Sequence, residues 1–296
     1  MELIFLGTSQ AVPTEKRNHT AILLKYLDES MLFDCGEGTQ RQFRIAKINP
    51  CKLTRIFISH FHGDHILGVP GLLQTLALNG YNRTLHIYVP AGTRKYIDLI
   101  LNMFVFTGKI KYEVHEVNSR IVLETSDFIV EALPLEHTTK CLAYSFVEKT
   151  KVRMDKQKLK KYKLSGPLVG ELQRGKSVEV NGKKIKPEQV SYKENGKKIA
   201  IIMDTRICKN CIEIAKNADL IISESTYCKE TEKRAEEYMH LTASQTGEIA
   251  KKARAKKLIL THISQRYEKD PSCVLKEAKK VFKNTILAKD FMEVTV

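Results

Sequence analysis

The segment Ser59-His60-Phe61-His62-Gly63-Asp64-His65 guides the interpretation of the whole sequence. It follows the apolar run 56–58, which is typical of a buried strand, and it places three histidines and one aspartate within six consecutive positions. Imidazole and carboxylate groups are the ligands that zinc and similar divalent metals prefer. The spacing is not the i, i+4 pair with which a helix presents two imidazoles to one metal. We therefore predict a loop after a strand, with His60 and His62 turned towards one metal ion and Asp64 and His65 towards a neighbouring one.

Potential ligands also follow other predicted strands. Four separate apolar runs each end at such a side chain: His60, His137, Asp204 and His262. A single histidine after a strand is more often a structural residue, so the prediction depends on the recurrence. The recurrence predicts that the strands end together at one edge of a β-sheet core and that their polar residues form a common site.

The pattern His-x-His-x-Asp-His at 60–65 resembles the signature of the metallo-β-lactamase superfamily. The segments SHFHGDHILGVPGLL (59–73) and DCGEGTQ (34–40) resemble the ribonuclease Z family. The resemblance implies an α/β fold, the four-layer αβ/βα sandwich of two packed β-sheets with outer helices. It also implies a zinc-dependent endoribonuclease that removes the 3′ trailer from precursor tRNA, leaving a 3′ hydroxyl on the tRNA and a 5′ phosphate on the trailer.

The same resemblance implies two zinc ions per subunit and assigns their ligands. One ion is held by His60, His62 and His137, and the other by Asp64, His65 and His262. Asp204 bridges both ions. A water molecule shared by two such cations becomes acidic enough to act as the nucleophile.

Three residues are implied in proton transfer. Asp64 accepts a proton from the attacking water and orients it, while His240, paired with Glu224, protonates the departing ribose 3′ oxygen. Relatives often have His-Glu-Ala-Thr where this sequence has Ser223-Glu224-Ser225-Thr226. The substitution of that histidine leaves the His240 and Glu224 pair intact.

A strongly basic segment, 152–198, is predicted as an insertion in a single catalytic domain, 1–296. It contains 14 Lys and Arg residues against five acidic ones, which accounts for +9 of the formal net charge of +15. It resembles the arm with which the family grips tRNA, and the candidate RNA-binding residues in it are Lys160, Lys161, Gly166, Pro167, Arg174 and Lys176. A solvated surface excursion without RNA contact is the alternative.

A second candidate RNA contact lies in the loop Pro13-Thr14-Glu15-Lys16-Arg17-Asn18. Relatives often have Pro-x-Lys-x-Arg-Asn here, so an acidic residue, Glu15, replaces the usual lysine. Arg17 and Asn18 are retained. We predict that these two residues contact the RNA around the cleavage site.

The composition is typical of a globular protein without a membrane anchor. No run approaches the ~20 apolar residues that a membrane span needs, and the N-terminus has no basic region typical of a signal peptide. The seven cysteines are scattered and do not suggest a disulfide framework. We therefore predict a cytoplasmic protein that binds precursor tRNA, and the resemblance implies a homodimer.

Two other functions remain open at this point. A hydrolase of a small-molecule ester, such as an arylsulfatase-like or glyoxalase-type enzyme, would explain the metal ligands but not the basic segment or His240. A non-catalytic RNA-binding module would explain the basic segment but not a complete ligand set.

Overall fold

The computed structural model describes residues 1–105, 110–180 and 182–296. They form two compact units. The sandwich unit comprises Met1–Glu124, Ile129–Phe146 and Lys198–Val296, and the inserted unit comprises Thr125–Phe128 and Val147–Lys197. The inserted unit therefore starts before the predicted boundary at Val152.

The first sheet has seven strands. They are β1 (Glu2–Gly7), β2 (Ala21–Tyr26), β3 (Glu29–Phe33), β4 (Arg55–Phe57), β5 (Thr84–Pro90), β6 (Lys111–Val117) and β18 (Glu293–Thr295). Their order is β18-β1-β2-β3-β4-β5-β6. Strands β1, β2, β3 and β18 pair antiparallel, whereas β3 to β6 run parallel. The carboxyl ends of β4 and β5 therefore point to the same edge.

The second sheet also has seven strands. They are β7 (Ile121–Glu124), β8 (Phe128–Leu135), β9 (Cys141–Glu148), β14 (Lys198–Ile202), β15 (Leu220–Glu224), β16 (Leu258–Thr261) and β17 (Thr285–Leu287). Their order is β17-β16-β15-β14-β9-β8-β7. Strands β14 to β17 are parallel. They are almost continuously apolar, as expected for parallel strands that are covered on both faces.

Helices cover the outer faces of both sheets. In the first half they are α1 (Thr39–Ile45), α2 (Gly63–Ile66), α3 (Gly68–Leu78) and α4 (Arg94–Asn102). In the second half they are α7 (Lys209–Ala215), α8 (Glu232–Glu237), α9 (Ala243–Lys252) and α10 (Ser272–Val281). Nowhere in the described ranges is there a helix with both the length and the apolar character needed to cross a membrane.

Three apolar layers hold the sandwich unit together. Phe43 and Leu72 belong to the cluster between the first sheet and its helices, and Ile249 to the cluster between the second sheet and its helices. Between the sheets, the rings of Phe57 and Tyr144 lie 5.4 Å apart, and the Tyr144 hydroxyl donates to the carbonyl of Ile58 at 2.8 Å. Each fully buried side chain of this size contributes about 1.5–3 kcal/mol. The predicted four-layer αβ/βα sandwich is confirmed.

The inserted unit has its own small structure. It contains β10 (Lys151–Met154), α5 (Lys156–Lys161), α6 (Pro167–Gln173), β11 (Val178–Val180), β12 (Lys183–Ile185) and β13 (Ser191–Glu194). Strand β10 pairs with β13, and β11 pairs with β12. A core of five buried residues joins them: Leu164, Leu172, Val178, Ile185 and Val190. The basic segment is therefore folded around apolar residues of its own.

Candidate active site

Four strands from the two sheets deliver the predicted ligands. Strand β4 of the first sheet leads to His60, and β8, β14 and β16 of the second sheet lead to His137, Asp204 and His262. The structure brings all seven predicted metal ligands together in two groups that share Asp204. The site thus lies where the ends of both sheets meet, and not at the edge of one sheet.

The first group consists of His60, His62, His137 and Asp204, whose ligand atoms all lie within 4.8 Å of one another. His137 Nε2 is 3.2 Å from His62 Nδ1. Oδ2 of Asp204 lies 3.7 Å from His60 Nε2 and 3.8 Å from His137 Nε2. Burial lowers the pKa of each of these three histidines, which favours the neutral imidazole that binds metals.

The second group consists of Asp64, His65, Asp204 and His262. His65 Nε2 and His262 Nε2 are 3.1 Å apart, and Asp64 Oδ2 is 3.3 Å from His262 Nε2. Oδ1 of Asp204 lies 3.1 Å from His262 Nε2 and 3.4 Å from His65 Nε2. Because the two oxygens of Asp204 face different groups, this carboxylate could contribute one oxygen to each group.

The donor atoms fit divalent metal ions of the zinc type. His60 Nε2 and Asp204 Oδ1 are buried, and neither has a hydrogen-bond partner of suitable geometry among the described residues, although Asp204 Oδ1 lies 3.1 Å from His262 Nε2. Such an unpaired buried atom costs about 1–3 kcal/mol unless something binds it. Ligands about 2.0–2.1 Å from a tetrahedral zinc ion lie about 3.3 Å from one another, close to the spacings within both groups. These residues could therefore hold divalent metal ions.

The remaining ring nitrogens of the histidines are held by neighbouring groups. His65 Nδ1 lies 2.7 Å from Asp34 Oδ2, and His262 Nδ1 lies 3.0 Å from Thr226 Oγ1. His60 Nδ1 contacts Ser59 Oγ at 3.0 Å. Such contacts fix the tautomer and the orientation of a metal-binding imidazole. These three partners lie within recognisable sequence segments, but no pattern in consecutive residues indicates which histidine each one contacts.

Asp34 and Gly36 lie in the turn after β3 and contact the segment 59–65, which carries four of the predicted ligands. Asp34 also accepts hydrogen bonds from the backbone N–H and hydroxyl of Ser59, at 2.7 and 2.8 Å. A Cβ atom at position 36 would lie 2.3 Å from the carbonyl oxygen of Asp64. Only glycine permits this approach of the two backbones. The DCGEGTQ segment is thus a support for the second ligand group.

Asp64 and His65 lie on the short helix α2, with His62 as its N-cap residue. The prediction of a loop through His65 is therefore wrong for its second half. The helix is bonded to the turn at Cys35, whose backbone N–H donates to the carbonyl of His65 at 2.8 Å. Asp64 Oδ2 accepts a hydrogen bond from the backbone N–H of Ala11 at 2.8 Å. Burial acts to raise the pKa of Asp64, but His65 and His262 outweigh it and lower the pKa, so this carboxylate stays ionised.

His240 and Glu224 form a buried pair beside the two ligand groups. His240 Nδ1 is 3.1 Å from Glu224 Oε1 and 3.8 Å from Asp204 Oδ2. Glu224 is fully buried and also accepts from Thr205 N–H at 2.7 Å and from the Thr226 hydroxyl at 2.6 Å. Burial acts to lower the pKa of His240, but Glu224 and Asp204 raise it to about 9. Cations bound by the adjacent ligands would oppose this rise.

Arg17 and Asn18 make their contacts within the protein. Arg17 is buried, and its guanidinium donates to Thr8 Oγ1 at 2.7 Å and to the carbonyl of Ala288 at 2.9 Å. The side-chain amide of Asn18 donates to the carbonyl of Glu37 at 2.7 Å. These contacts give both residues a structural role in the loop, and RNA binding by them stays a prediction.

The other RNA-binding candidates all lie in the inserted unit. Lys160 and Lys161 end α5, while Gly166 and Pro167 begin α6. Gly166 has φ 54° and ψ −130°, a conformation that other residues rarely adopt. The candidate cations Lys160, Lys161, Arg174 and Lys176 are exposed. Arg174 and Lys176 both form ion pairs with Glu171, whereas the structure shows no such pair for Lys160 or Lys161 within the described residues.

Two packed seven-stranded sheets with a histidine and aspartate centre at their ends define a protein of the metallo-β-lactamase fold. The structure is similar to that of the short form of human tRNase Z, with a TM-score of 0.72 and 29% identity over 100% of this chain and 99% of that one. The Bacillus subtilis metallo-β-lactamase fold protein YhfI matches with a TM-score of 0.71 and 21% identity, over 99% of this chain and 98% of that one.

Sequence relatives specify the family. Ribonuclease Z of Methanosarcina acetivorans is 42% identical over 100% of this chain and 98% of its own length. Ribonuclease Z of Methanothermobacter thermautotrophicus is 44% identical over 100% of this chain and 97% of its own length. The chain belongs to the ribonuclease Z family of endoribonucleases. A family model described as anti-Pycsar protein Apyc1 also matches residues 1–160, a range that contains His60 to His65 and His137 but ends before Asp204, Glu224, His240 and His262.

Proposed function

We propose that this endoribonuclease removes the 3′ trailer from precursor tRNA, leaving a 3′ hydroxyl on the tRNA and a 5′ phosphate on the trailer. The proposal depends above all on the buried His240 and Glu224 pair, which lies 3.8 Å from the shared ligand Asp204. A ribose 3′ oxygen is a poor leaving group and benefits from a general acid. The full-length similarity to tRNase Z and ribonuclease Z proteins supports tRNA as the substrate.

The seven metal ligands would hold two zinc ions, with Asp204 between them. When bound, the ions supply a Lewis acid for the phosphate oxygens and lower the pKa of a water molecule. The unpaired buried atoms of His60 and Asp204 support such occupation. Zinc is supported by the mixture of imidazole nitrogen and carboxylate oxygen donors.

Asp64 would orient the attacking water. Its carboxylate is fixed by the Ala11 N–H at 2.8 Å, and its lowered pKa keeps it a hydrogen-bond acceptor at neutral pH. An acceptor held in this way directs one lone pair of the water towards phosphorus. The departing 3′ oxygen would then lie on the side of phosphorus opposite the water.

His240 would protonate that oxygen. Because Nδ1 donates to Glu224, Nε2 is the nitrogen left to reach the substrate. Glu224 is in turn fixed by Thr205 and Thr226, so the imidazole is held in one orientation. The pair would therefore act as the general acid and its orienting carboxylate.

The inserted unit would bind the tRNA through its exposed lysines. Lys160 and Lys161 can be compared with Lys279 and Lys280, another exposed pair in the last turn of a helix. The slope of log affinity against log salt concentration is negative. Changing the first pair to glutamine should reduce its magnitude by about 0.7–0.9 for each phosphate that the lysines no longer neutralise. The same change at the second pair should leave the slope unaltered. Equal effects of the two pairs would refute specific binding by α5.

The cleavage site and chemistry can be tested on precursor tRNA with mapped product ends. We expect one cut after the discriminator base in the wild type, and none with Asp64→Ala, which should still bind the RNA. A variant with residues 149–196 replaced by two glycines is feasible, because Glu148 N–H donates to the carbonyl of Lys197 at 2.9 Å. This variant should keep turnover of an activated small phosphodiester and lose tRNA cleavage. Wild-type tRNA cleavage by this variant would refute RNA binding by the inserted unit. No tRNA cleavage by a fully metallated wild type would favour a small-molecule hydrolase.

A homodimer remains part of the proposal because the family resemblance implies it, and a cytoplasmic location remains part of it because of the composition. Exposed apolar residues on and after α4, such as Leu99, Met103 and Val105, are compatible with a second subunit. Light scattering at several protein concentrations would measure the mass. A monomer at all concentrations would refute the dimer.

A further inference from the structure

A second cluster of potential metal ligands lies on neighbouring strands of the first sheet. His86 on β5 and Glu113 and His115 on β6 each bring one ligand atom to within 4.8 Å of the others. In the parallel register, His86 lies opposite Glu113, and Tyr88 lies opposite His115. Because side chains alternate along a strand, all three potential ligands project from the same face of the sheet.

This cluster is separate from the active site. His86 lies opposite Arg55, the first residue of β4, whereas His60 comes after the last residue of β4. The two sites are therefore displaced from each other along the strands. None of the seven active-site ligands belongs to the second cluster.

The three ligand atoms form a triangle of suitable size. His86 Nδ1 is 3.1 Å from His115 Nε2 and 3.5 Å from Glu113 Oε2, and the third side, from His115 Nε2 to Glu113 Oε2, is 3.9 Å. Three ligands of a tetrahedral zinc ion lie about 3.3 Å apart. We propose that His86, Glu113 and His115 form a second binding site for a borderline divalent cation such as zinc, with the remaining coordination position open to water.

The surroundings favour the proposed ligand set. The ring of Tyr88 stacks on that of His115 with centroids 4.8 Å apart, which limits the rotation of the imidazole. Burial and the neighbouring His86 lower the pKa of His115, so its neutral form is favoured. Arg55, which lies opposite His86 on β4, is paired with Glu29, so its charge is compensated.

A hydrogen bond between the two imidazoles is the competing explanation. At 3.1 Å, one nitrogen can donate to the other without any metal. A hydrogen bond between the imidazoles does not require Glu113, because its carboxylate lies 3.5 Å from one nitrogen and 3.9 Å from the other. A metal ion, in contrast, requires the lone pairs of both nitrogens and the carboxylate. The effect of Glu113 on metal binding therefore distinguishes the two explanations.

A bound cation would hold an edge strand in place. Strand β6 is the last in the order of the first sheet, next to β5. Edge strands are bonded on one side and open more easily than central strands. A cation coordinated by both β5 and β6 would add a link between them that the backbone ladder does not provide.

The test is the zinc content of the full chain after equilibration in a zinc buffer and removal of excess metal. We expect His115→Gln and Glu113→Gln each to contain one zinc equivalent fewer than the wild type. The comparison is a difference, so it does not depend on how many ions the active site holds or on what the enzyme cleaves. Glu116→Gln is the matched control, because it makes the same change on β6 at a carboxylate that bonds the Gly92 N–H at 2.7 Å. It should keep the wild-type zinc content.

Equal zinc content in the wild type and His115→Gln would overturn the proposal. Loss of zinc from His115→Gln but not from Glu113→Gln would also overturn it as stated, because the carboxylate would not be a ligand. Crystals of the wild type grown with zinc give an independent measurement. We expect an anomalous difference peak at the zinc edge among the three side chains, and the absence of such a peak would count against the site.

Discussion

The buried pair of His240 and Glu224 makes the proposed acid chemistry measurable. Glu224→Gln removes the charge of the carboxylate without leaving its partners unpaired. The amide oxygen can still accept from Thr205 N–H, and the amide nitrogen can donate to Thr226 Oγ1, whose hydroxyl already lies 3.1 Å from the carbonyl of His262. We therefore expect the variant to fold and to bind metal as the wild type does.

The expected losses follow from the geometry. Glu224→Gln removes the charge assistance from a buried hydrogen bond of 3.1 Å to His240. Hydrogen bonds to charged groups contribute about 1.5–3 kcal/mol and neutral ones about 0.5–1.5 kcal/mol. The difference of about 1–1.5 kcal/mol corresponds to about a 5- to 13-fold loss in the cleavage rate. His240→Ala removes the acid itself and should cost about 10²- to 10⁴-fold. The double variant should be no slower than His240→Ala, because Glu224 acts only through the imidazole.

The assay is single-turnover cleavage of precursor tRNA, compared with turnover of bis(p-nitrophenyl) phosphate. The nitrophenolate leaves without protonation, so His240→Ala should lose little activity on this second substrate. Asp64→Ala should be inactive on both and provides the control for the metal centre. Equal losses of activity by His240→Ala on the two substrates would refute the assignment of His240 as the general acid. A double variant slower than His240→Ala would refute the proposal that Glu224 acts through His240.

Three further substitutions test other parts of the structure. Asp34→Asn removes the charge 2.7 Å from His65 Nδ1, and chelator competition should show about a 10- to 100-fold weaker metal affinity. Gly36→Ala would place Cβ 2.3 Å from the carbonyl oxygen of Asp64, so both bound metal and cleavage should be lost. Asp290 has a pKa raised by burial from 3.8 to about 6. Between about pH 4 and 7 the folded state therefore binds more protons than the unfolded state. The free energy of unfolding of the wild type, relative to that of Asp290→Asn, should fall by about 3 kcal/mol over this range. Urea unfolding at several pH values measures this difference.

Matched variants control for the chemical change in each case. Asp28→Asn alters an exposed carboxylate in the turn between β2 and β3 and should affect neither metal affinity nor the pH dependence. Gly170→Ala adds a Cβ whose nearest neighbour lies at 3.8 Å and should be tolerated. An unchanged metal affinity in Asp34→Asn would contradict the role of Asp34 in orienting His65. Bound metal in Gly36→Ala would contradict the need for glycine at position 36. An effect of Asp290→Asn that does not change with pH would contradict the raised pKa of Asp290.

Some features were accessible from the sequence because they are local. Apolar runs of strand length followed by His60, His137, Asp204 and His262 predicted both the strands and the positions of the ligands. The density of ligands at 60–65 predicted a metal site without knowledge of the fold. The charge of the basic segment identified the insertion, although its boundary at Val147 depends on tertiary contacts. These features can be predicted from the sequence because hydrophobic periodicity and dense ligand motifs involve consecutive residues.

Other features exist only in the folded chain. Asp64 and His262 are 198 positions apart, and no local signal pairs them. Asp204 belongs to both ligand groups because its two carboxylate oxygens point in different directions. Asp34 contacts His65 because the turn after β3 approaches α2. The same reason explains why His86 and His115 gave no signal in the sequence. Their ring nitrogens lie 3.1 Å apart only because β6 pairs in parallel with β5, a register that side chains distant in sequence decide together.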